Sequence, residues 1–171
     1  MNKNRFSTKM LATLSILVAL EIIIARFVTI RPTQSIKISL DFLPIVAAAV
    51  LYGPGAAVIM SILADVLGAF LFPVGPYFPG FTVTAALTGL LYGLLLYKRQ
   101  TMPRIVLAVA LQQGILSLLL NTFWLHVLYG MPYLPTLVTR LGQCAVMTAV
   151  QLVLIPLIAK TVQEVEKRVR L

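Results

Sequence analysis

The sequence has few charged residues and a single cysteine. Only 11% of its 171 residues are Asp, Glu, Lys or Arg, and 60% are apolar, whereas a soluble domain carries about 25% charged residues. So little polar surface cannot cover a globule in water, which excludes a water-soluble enzyme and a disordered chain. Cys144 alone cannot form an intrachain disulfide or a metal site built from several cysteines. The composition predicts an integral membrane protein.

Sequence signatures of catalysis are also missing. The chain has no phosphate-binding G-x-x-x-x-G-K-[ST] loop, no H-E-x-x-H metal helix and no G-x-S-x-G nucleophile turn. We therefore expect no catalytic residue, no metal site and no cofactor. Acidic residues are scarce, with 5 Asp and Glu against 14 Lys and Arg. In so apolar a chain, this excess is expected to orient the protein in a bilayer rather than bind nucleic acid.

Apolar runs separated by proline, glycine and charged residues predict an all-α fold, with six membrane-spanning helices in a single domain, residues 1–171. The second run has about 12 residues, which at 1.5 Å per residue reach about 18 Å of a ~30 Å hydrocarbon core. We therefore expect this helix to be tilted or covered by its neighbours. The predicted helices span residues 9–27, 41–52, 54–72, 81–97, 103–126 and 135–163.

The basic residues predict the orientation, because an even number of helices places both termini on one side. Ten of them fall at the termini or between helices 4 and 5: Lys3, Arg5, Lys9, Lys98, Arg99, Arg104, Lys160, Lys167, Arg168 and Arg170. We therefore predict a multi-pass protein of the cell membrane with cytoplasmic termini. Four others lie near the outer ends of helices 1 and 6 or in the first loop: Arg26, Arg31, Lys37 and Arg140. These four break the positive-inside rule, which indicates an anionic partner on the outer side.

Polar residues on three predicted helices fall near the outer face. By their distance along the helices, four share one depth: Arg26, Asn121, Arg140 and Gln143. At 100° per residue, helix 5 carries one polar stripe and helix 6 another. The stripes comprise Gln113, Ser117, Asn121 and Trp124 on helix 5, and Arg140, Gln143, Met147 and Gln151 on helix 6.

Polar groups within membrane spans usually face a bundle interior or a cavity. The stripes therefore predict an outward-opening pocket, in which guanidinium groups hold carboxylates, amides pair with a heterocycle edge, and Trp124 with loop aromatics stacks. The alternative is that these groups only form hydrogen bonds between helices. For Trp124 the alternative is an anchor at the membrane interface, and for Lys37 a solvated loop residue.

Two acidic residues, Glu21 and Asp65, lie inside predicted spans. There they must be neutral, paired or wet. We interpret them as structural residues, either of which could form a salt bridge with Arg26, rather than as contacts to a substrate. On helix 1, small residues recur at Ala12, Ser15 and Ala19, and such a face allows close approach of another helix.

Five segments carry a family resemblance. They are RFVxI at 26–30, KISLxFLP at 37–44, ADVLG at 64–68, GPYFPGFT at 75–82 and NTxWL at 121–125. On these segments the chain resembles the folate-specific substrate-binding (S) component of energy-coupling factor (ECF) transporters over nearly its whole length. The resemblance implies a subunit that captures folate at the outer face and has no enzymatic activity of its own. It also implies a transmembrane T component and two cytoplasmic ATPases as partners, with Ala12, Ser15 and Ala19 facing the T component.

The residues and the resemblance together predict the substrate-binding set: Arg26, Lys37, Tyr77, Phe78, Phe81, Asn121, Trp124, Arg140 and Gln143. One alternative is an S component for riboflavin, thiamin or biotin, which shares the architecture. Another is an ion-coupled transporter of small solutes, which would favour inverted repeats and an ionisable pair near mid-membrane; only Asp65 is a candidate. A membrane-embedded enzyme would need a nucleophile or a metal set, and neither is visible.

Overall fold

The computed structural model describes residues 8–33 and 35–169, and within them the chain folds into six continuous helices. This confirms the predicted all-α class and helix number. Five helices are long and apolar enough to cross a membrane, and the other is shorter. The helices are α1 Thr8–Val28, α2 Phe42–Tyr52, α3 Pro54–Leu71, α4 Pro79–Leu96, α5 Met102–Tyr129 and α6 Tyr133–Val169. The assignment of residues 1–171 to one domain stays a prediction.

Helix boundaries differ from the predicted ones mainly where proline or glycine was read as a break. Proline is tolerated in the first turn of a helix, where its missing N–H is not needed. Pro79 therefore begins α4, and Pro135 lies inside the first turn of α6. α5 ends at Tyr129, three residues beyond the predicted end at 126. Gly130 follows it with a φ of +65°. No such residue interrupts the charged tail, and α6 continues past 163 to Val169.

The short helix α2 lies inside the bundle. Eight of its 11 residues are buried, and Val46, Ala48 and Ala49 have no exposed surface. The helix contacts α1, α3, α4 and α6. Its neighbours therefore cover it, as the sequence predicts for a helix too short to reach across the hydrocarbon core. Asp41 precedes α2 in the N-cap position, although its side chain makes no capping hydrogen bond.

Helices α3 and α4 pack with their backbones in contact. A Cβ atom built on Gly93 would lie 2.2 Å from the Cα of Pro54, and one on Gly89 would lie 2.6 Å from the carbonyl oxygen of Ala57. Only glycine fits at these two positions. Close approach of this kind lets dispersion forces and weak polar contacts hold helices together where lipid removes the hydrophobic driving force.

We expect the Gly93→Ala variant to lose about 1–3 kcal/mol of folding free energy, because its methyl group must push α3 and α4 apart. The melting temperature in detergent would measure this loss. Gly142→Ala is the matched control, since a Cβ atom there meets nothing within 4 Å. Equal melting temperatures for the two variants would show that α3 and α4 can separate without cost.

Contacts between helix ends show that the helices alternate in direction. At one end, Arg26 of α1 lies against Gly68 of α3. At the other, Tyr97 lies against Gly53, and Gln163 hydrogen-bonds Gln100. We call the first the cavity end, because the cavity described below opens there, and the second the termini end.

The described basic residues divide between these two ends as the sequence predicts. The termini end holds Lys9, Lys98, Arg99, Arg104 and Lys160, and the cavity end holds Arg26, Arg31, Lys37 and Arg140. The side chains of Lys3, Arg5, Lys167, Arg168 and Arg170 lie outside the described part of the chain. The cytoplasmic position of the termini stays a prediction.

Candidate functional site

A cavity of about 340 Å³ opens at the cavity end of the bundle. All six helices contribute lining residues, and so do the α1–α2 and α3–α4 connections. Its volume falls in the range of small-molecule sites, about 300–1,000 Å³. The lining mixes aromatic rings with amides, hydroxyls and charged groups, so the cavity suits a ligand that is both flat and polar.

Eight of the nine predicted binding residues line this cavity: Arg26, Lys37, Tyr77, Phe78, Phe81, Asn121, Arg140 and Gln143. They come from four helices and both connections, so the fold gathers residues that are far apart in sequence. The ninth residue, Trp124, is not among the lining residues. What each residue does with a ligand stays a prediction.

Trp124 lies behind the cavity wall. Its ring packs on Phe78 with a centroid distance of 5.6 Å, and its indole N–H donates a hydrogen bond to the Thr84 hydroxyl at 3.1 Å. The predicted stripe assumed 100° per residue, but α5 is π-helical over Gln112–Leu120. A π-helix pairs residues i and i+5 and turns less per residue. After this segment, Trp124 no longer lies on the same face of α5 as the start of the stripe. Its ring packs behind Phe78 instead of facing the cavity.

The predicted stripe on α6 holds, because this part of the helix is regular. Its four residues all line the cavity and are 2–9% exposed: Arg140, Gln143, Met147 and Gln151. Arg140 is only 4% exposed and has no carboxylate within ion-pair distance in the described residues. A guanidinium so placed is a strong candidate for binding an acidic or carbonyl group of a ligand.

Several buried polar atoms around the cavity lack a partner. Among the described residues, seven buried side-chain nitrogen or oxygen atoms make no hydrogen bond, and five belong to cavity-lining residues. These five are Glu21 Oε2, Gln113 Oε1, Asn121 Oδ1, Arg140 Nε and Gln143 Oε1. An unpartnered buried polar group costs about 1–3 kcal/mol. Their concentration at one cavity indicates a site organised to bind polar groups.

Within the part of the chain that the structure describes, neither Glu21 nor Asp65 forms the salt bridge with Arg26 that the sequence allowed. In the described residues, the only ion pair within 4.0 Å joins Lys37 to Asp41. Asp65 instead accepts a hydrogen bond from the Thr82 hydroxyl at 2.7 Å. The Arg26 guanidinium lies against Gly68, where a Cβ atom would be 3.2 Å from its Nε. Glycine at position 68 therefore leaves room for the guanidinium at the cavity wall.

The α1–α2 connection folds over the cavity as a small hairpin. Ile30 and Ile38 exchange backbone hydrogen bonds of 2.9 Å, and the Thr29 hydroxyl donates to the Ser39 hydroxyl at 2.7 Å. The Gln143 side-chain amide donates to the Lys37 carbonyl oxygen at 2.7 Å. This bond ties the hairpin to α6 and holds Lys37 at the cavity mouth.

Other polar lining residues were not predicted as binding residues: Glu21, Arg31, Ser35, Ser39, Asp41, Asp65, Thr84, Thr88, Gln112, Gln113, Ser117, Tyr129 and Gln151. Thr84 and Thr88 carry a signal that was available, since residues four apart share one face of a helix. Gln112 carried no such signal, because it lies in the π-helical part of α5. Its side-chain Oε1 accepts a hydrogen bond from the Thr88 hydroxyl at 3.1 Å.

Comparisons with known proteins agree on one family. The family model for the substrate-specific component of ECF transporters matches residues 9–164. The chain is 36% identical to a folate transporter FolT of Clostridium novyi (strain NT) over 143 residues, which cover 83% of each protein. It is 30% identical to a folate transporter FolT of Leuconostoc mesenteroides subsp. mesenteroides, covering 73% of this chain and 68% of that protein.

A solved structure has the same fold. The crystal structure of FolT bound with folic acid matches with a TM-score of 0.85 and 32% identity, covering 91% of this chain and 95% of the other. The family match spans nearly all described residues, and the apolar helices fit a multi-pass membrane protein. This chain belongs to the substrate-specific components of ECF transporters.

Proposed function

We propose that this protein captures folate in the cavity, at the outer face of the cell membrane. Partner subunits would then drive uptake with ATP. The observation that carries the proposal is the set of five unpartnered polar atoms around one cavity. The similarity to two folate transporters and to the folate-bound structure supports folate over other vitamins.

The chemistry of folate matches the cavity. Folate has a flat pteridine ring, a benzoyl linker and a glutamate with two carboxylates. Phe78 and Phe81 offer faces for stacking, and the cations Arg31 and Lys37 offer partners for the glutamate. From Arg140 to Gln151, the lining of α6 extends over 11 residues, or about 16 Å. A cavity of this depth suits an elongated ligand.

Transport energy has to come from other subunits, because the sequence has no phosphate-binding loop. We propose a transmembrane T component and two cytoplasmic ATPases as these partners. The cation-rich termini end of the bundle would then face the cytoplasm, as the positive-inside rule requires. Folate would enter the cavity from the cavity end of the bundle, which would face the outside.

The docking surface for the T component is proposed on α1. Three small residues are exposed on this helix and do not belong to its buried face: Ala12, Ser15 and Ala19. Ser15 and Ala19 also line an apolar groove between α1 and α3. A partner helix can approach α1 closely at such small residues.

The chain purified alone in detergent should retain folate or one of its derivatives. Mass spectrometry of the extracted small molecules would identify the bound vitamin. Riboflavin, thiamin or biotin recovered in stoichiometric amount, without folate, would contradict the proposed substrate and leave the family membership intact.

A further inference from the structure

Glu21 is a buried acidic residue that the sequence alone led us to interpret as structural. It follows Leu14 and Val18 on the buried face of α1, where the pattern calls for an apolar residue. Its side chain lines the cavity and is 7% exposed, and its Oε2 atom has no hydrogen-bond partner in the described residues. An ionisable residue inside a membrane span is costly and usually functional.

The neighbouring charges do not explain why an acidic residue is buried at position 21. The charged groups that act on it are Asp41, Lys37, Asp65 and Arg26, which makes two acids and two bases. Lys37 is already paired with Asp41, and no base lies within 4.0 Å of the Glu21 carboxylate in the described residues. Among the residues that the structure describes, no charged neighbour therefore pairs with the carboxylate, and Oε2 has no donor.

We propose that Glu21 determines vitamin specificity by accepting hydrogen bonds from the 2-amino group and the adjacent ring N–H of the pteridine. This inference rests on the proposed function. The 2-amino-4-oxo edge presents two parallel N–H donors, and a carboxylate presents two oxygens at a matching spacing, so the pair can form two charge-assisted hydrogen bonds.

The same carboxylate rejects other flat vitamins. The corresponding edge of the riboflavin ring presents a carbonyl, an N–H and a second carbonyl. Binding it would place a carbonyl oxygen against a Glu21 oxygen in a buried site, where two acceptors repel and neither finds a donor. Glu21 thus separates folate from riboflavin by the order of donors and acceptors, while the aromatic walls accept either ring.

The test compares folic acid with an analogue in which a methyl group replaces the 2-amino group. Wild-type protein should bind folic acid roughly tenfold or more tightly than the analogue, because one charge-assisted hydrogen bond is lost. In Glu21→Gln this preference should shrink to within about twofold, since the amide supplies only one acceptor. Glu164→Gln, which changes an exposed acid at the termini end, should keep the wild-type preference.

Because the analogue keeps the ring N–H, Glu21→Gln should weaken its binding as well, but less than that of folic acid. The inference is overturned if Glu21→Gln weakens both ligands equally, as a structural residue would. Equal binding of the two ligands by the wild type overturns it without any variant. Failure of the wild type to bind folic acid at all would instead overturn the proposed function.

Discussion

Replacing Arg140 by methionine is expected to weaken folate binding by roughly tenfold to more than a hundredfold, while the ligand-free protein becomes more stable. The first effect follows because a charge-assisted hydrogen bond contributes about 1.5–3 kcal/mol. The second follows because Arg140 is 4% exposed, its Nε has no partner, and no carboxylate in the described residues pairs with it. An apolar side chain of similar length removes the cost of burying that charge.

Two measurements on Arg140→Met would reveal these opposite changes: the dissociation constant by calorimetry and the melting temperature without ligand. Arg99→Met, at an exposed position of the termini end, is the control and should change neither. A loss of affinity accompanied by a lower melting temperature would mean that Arg140 stabilises the fold. Unchanged affinity would remove Arg140 from the binding set.

Bulky residues on the small face of α1 are expected to block uptake and spare binding. Leucine at position 15 or 19 keeps the helix apolar but prevents the close helix approach that association in lipid requires. We expect uptake to fall roughly tenfold for each variant, because overpacking a close contact costs about 1–3 kcal/mol. Ser15 lies 11 residues, about 16 Å, from Arg26, so the folate affinity of the isolated chain should be unchanged.

The paired measurement sets ligand affinity in detergent beside ATP-dependent uptake in vesicles that contain the T component and the ATPases. Ala149→Leu, at an exposed position of α6, introduces the same side chain on another surface and should transport normally. If Ser15→Leu and Ala19→Leu also transport at the normal rate, the T component docks elsewhere. If affinity falls as far as uptake, the variants have damaged the cavity or the fold.

The sequence predicted those parts of the fold that depend on regular helical geometry. The α6 stripe from Arg140 to Gln151 lines the cavity because the helix keeps its period there. The cations divide between the two ends because alternating helices fix which loops lie together. α2 was expected to be tilted or covered by its neighbours, because it is too short to cross the membrane, and its neighbours cover it.

Features that depend on irregular backbone or distant contacts were missed. Nothing in the sequence announces the π-helical segment Gln112–Leu120, and this segment moves Trp124 from the cavity wall to the back of Phe78. The sequence allowed a salt bridge from Glu21 or Asp65 to Arg26, and the described residues form neither. Asp65 accepts a hydrogen bond from Thr82 on α4, and Lys37 pairs with Asp41. Choices of this kind among several neighbours are decided by tertiary packing.

Calorimetry of the isolated chain with folate, riboflavin, thiamin and biotin tests the central claim most directly. We predict saturable binding of folate with one site per chain, without ATP or partner subunits, and no measurable binding of the other three vitamins. Saturable binding of another vitamin without any binding of folate would contradict the account.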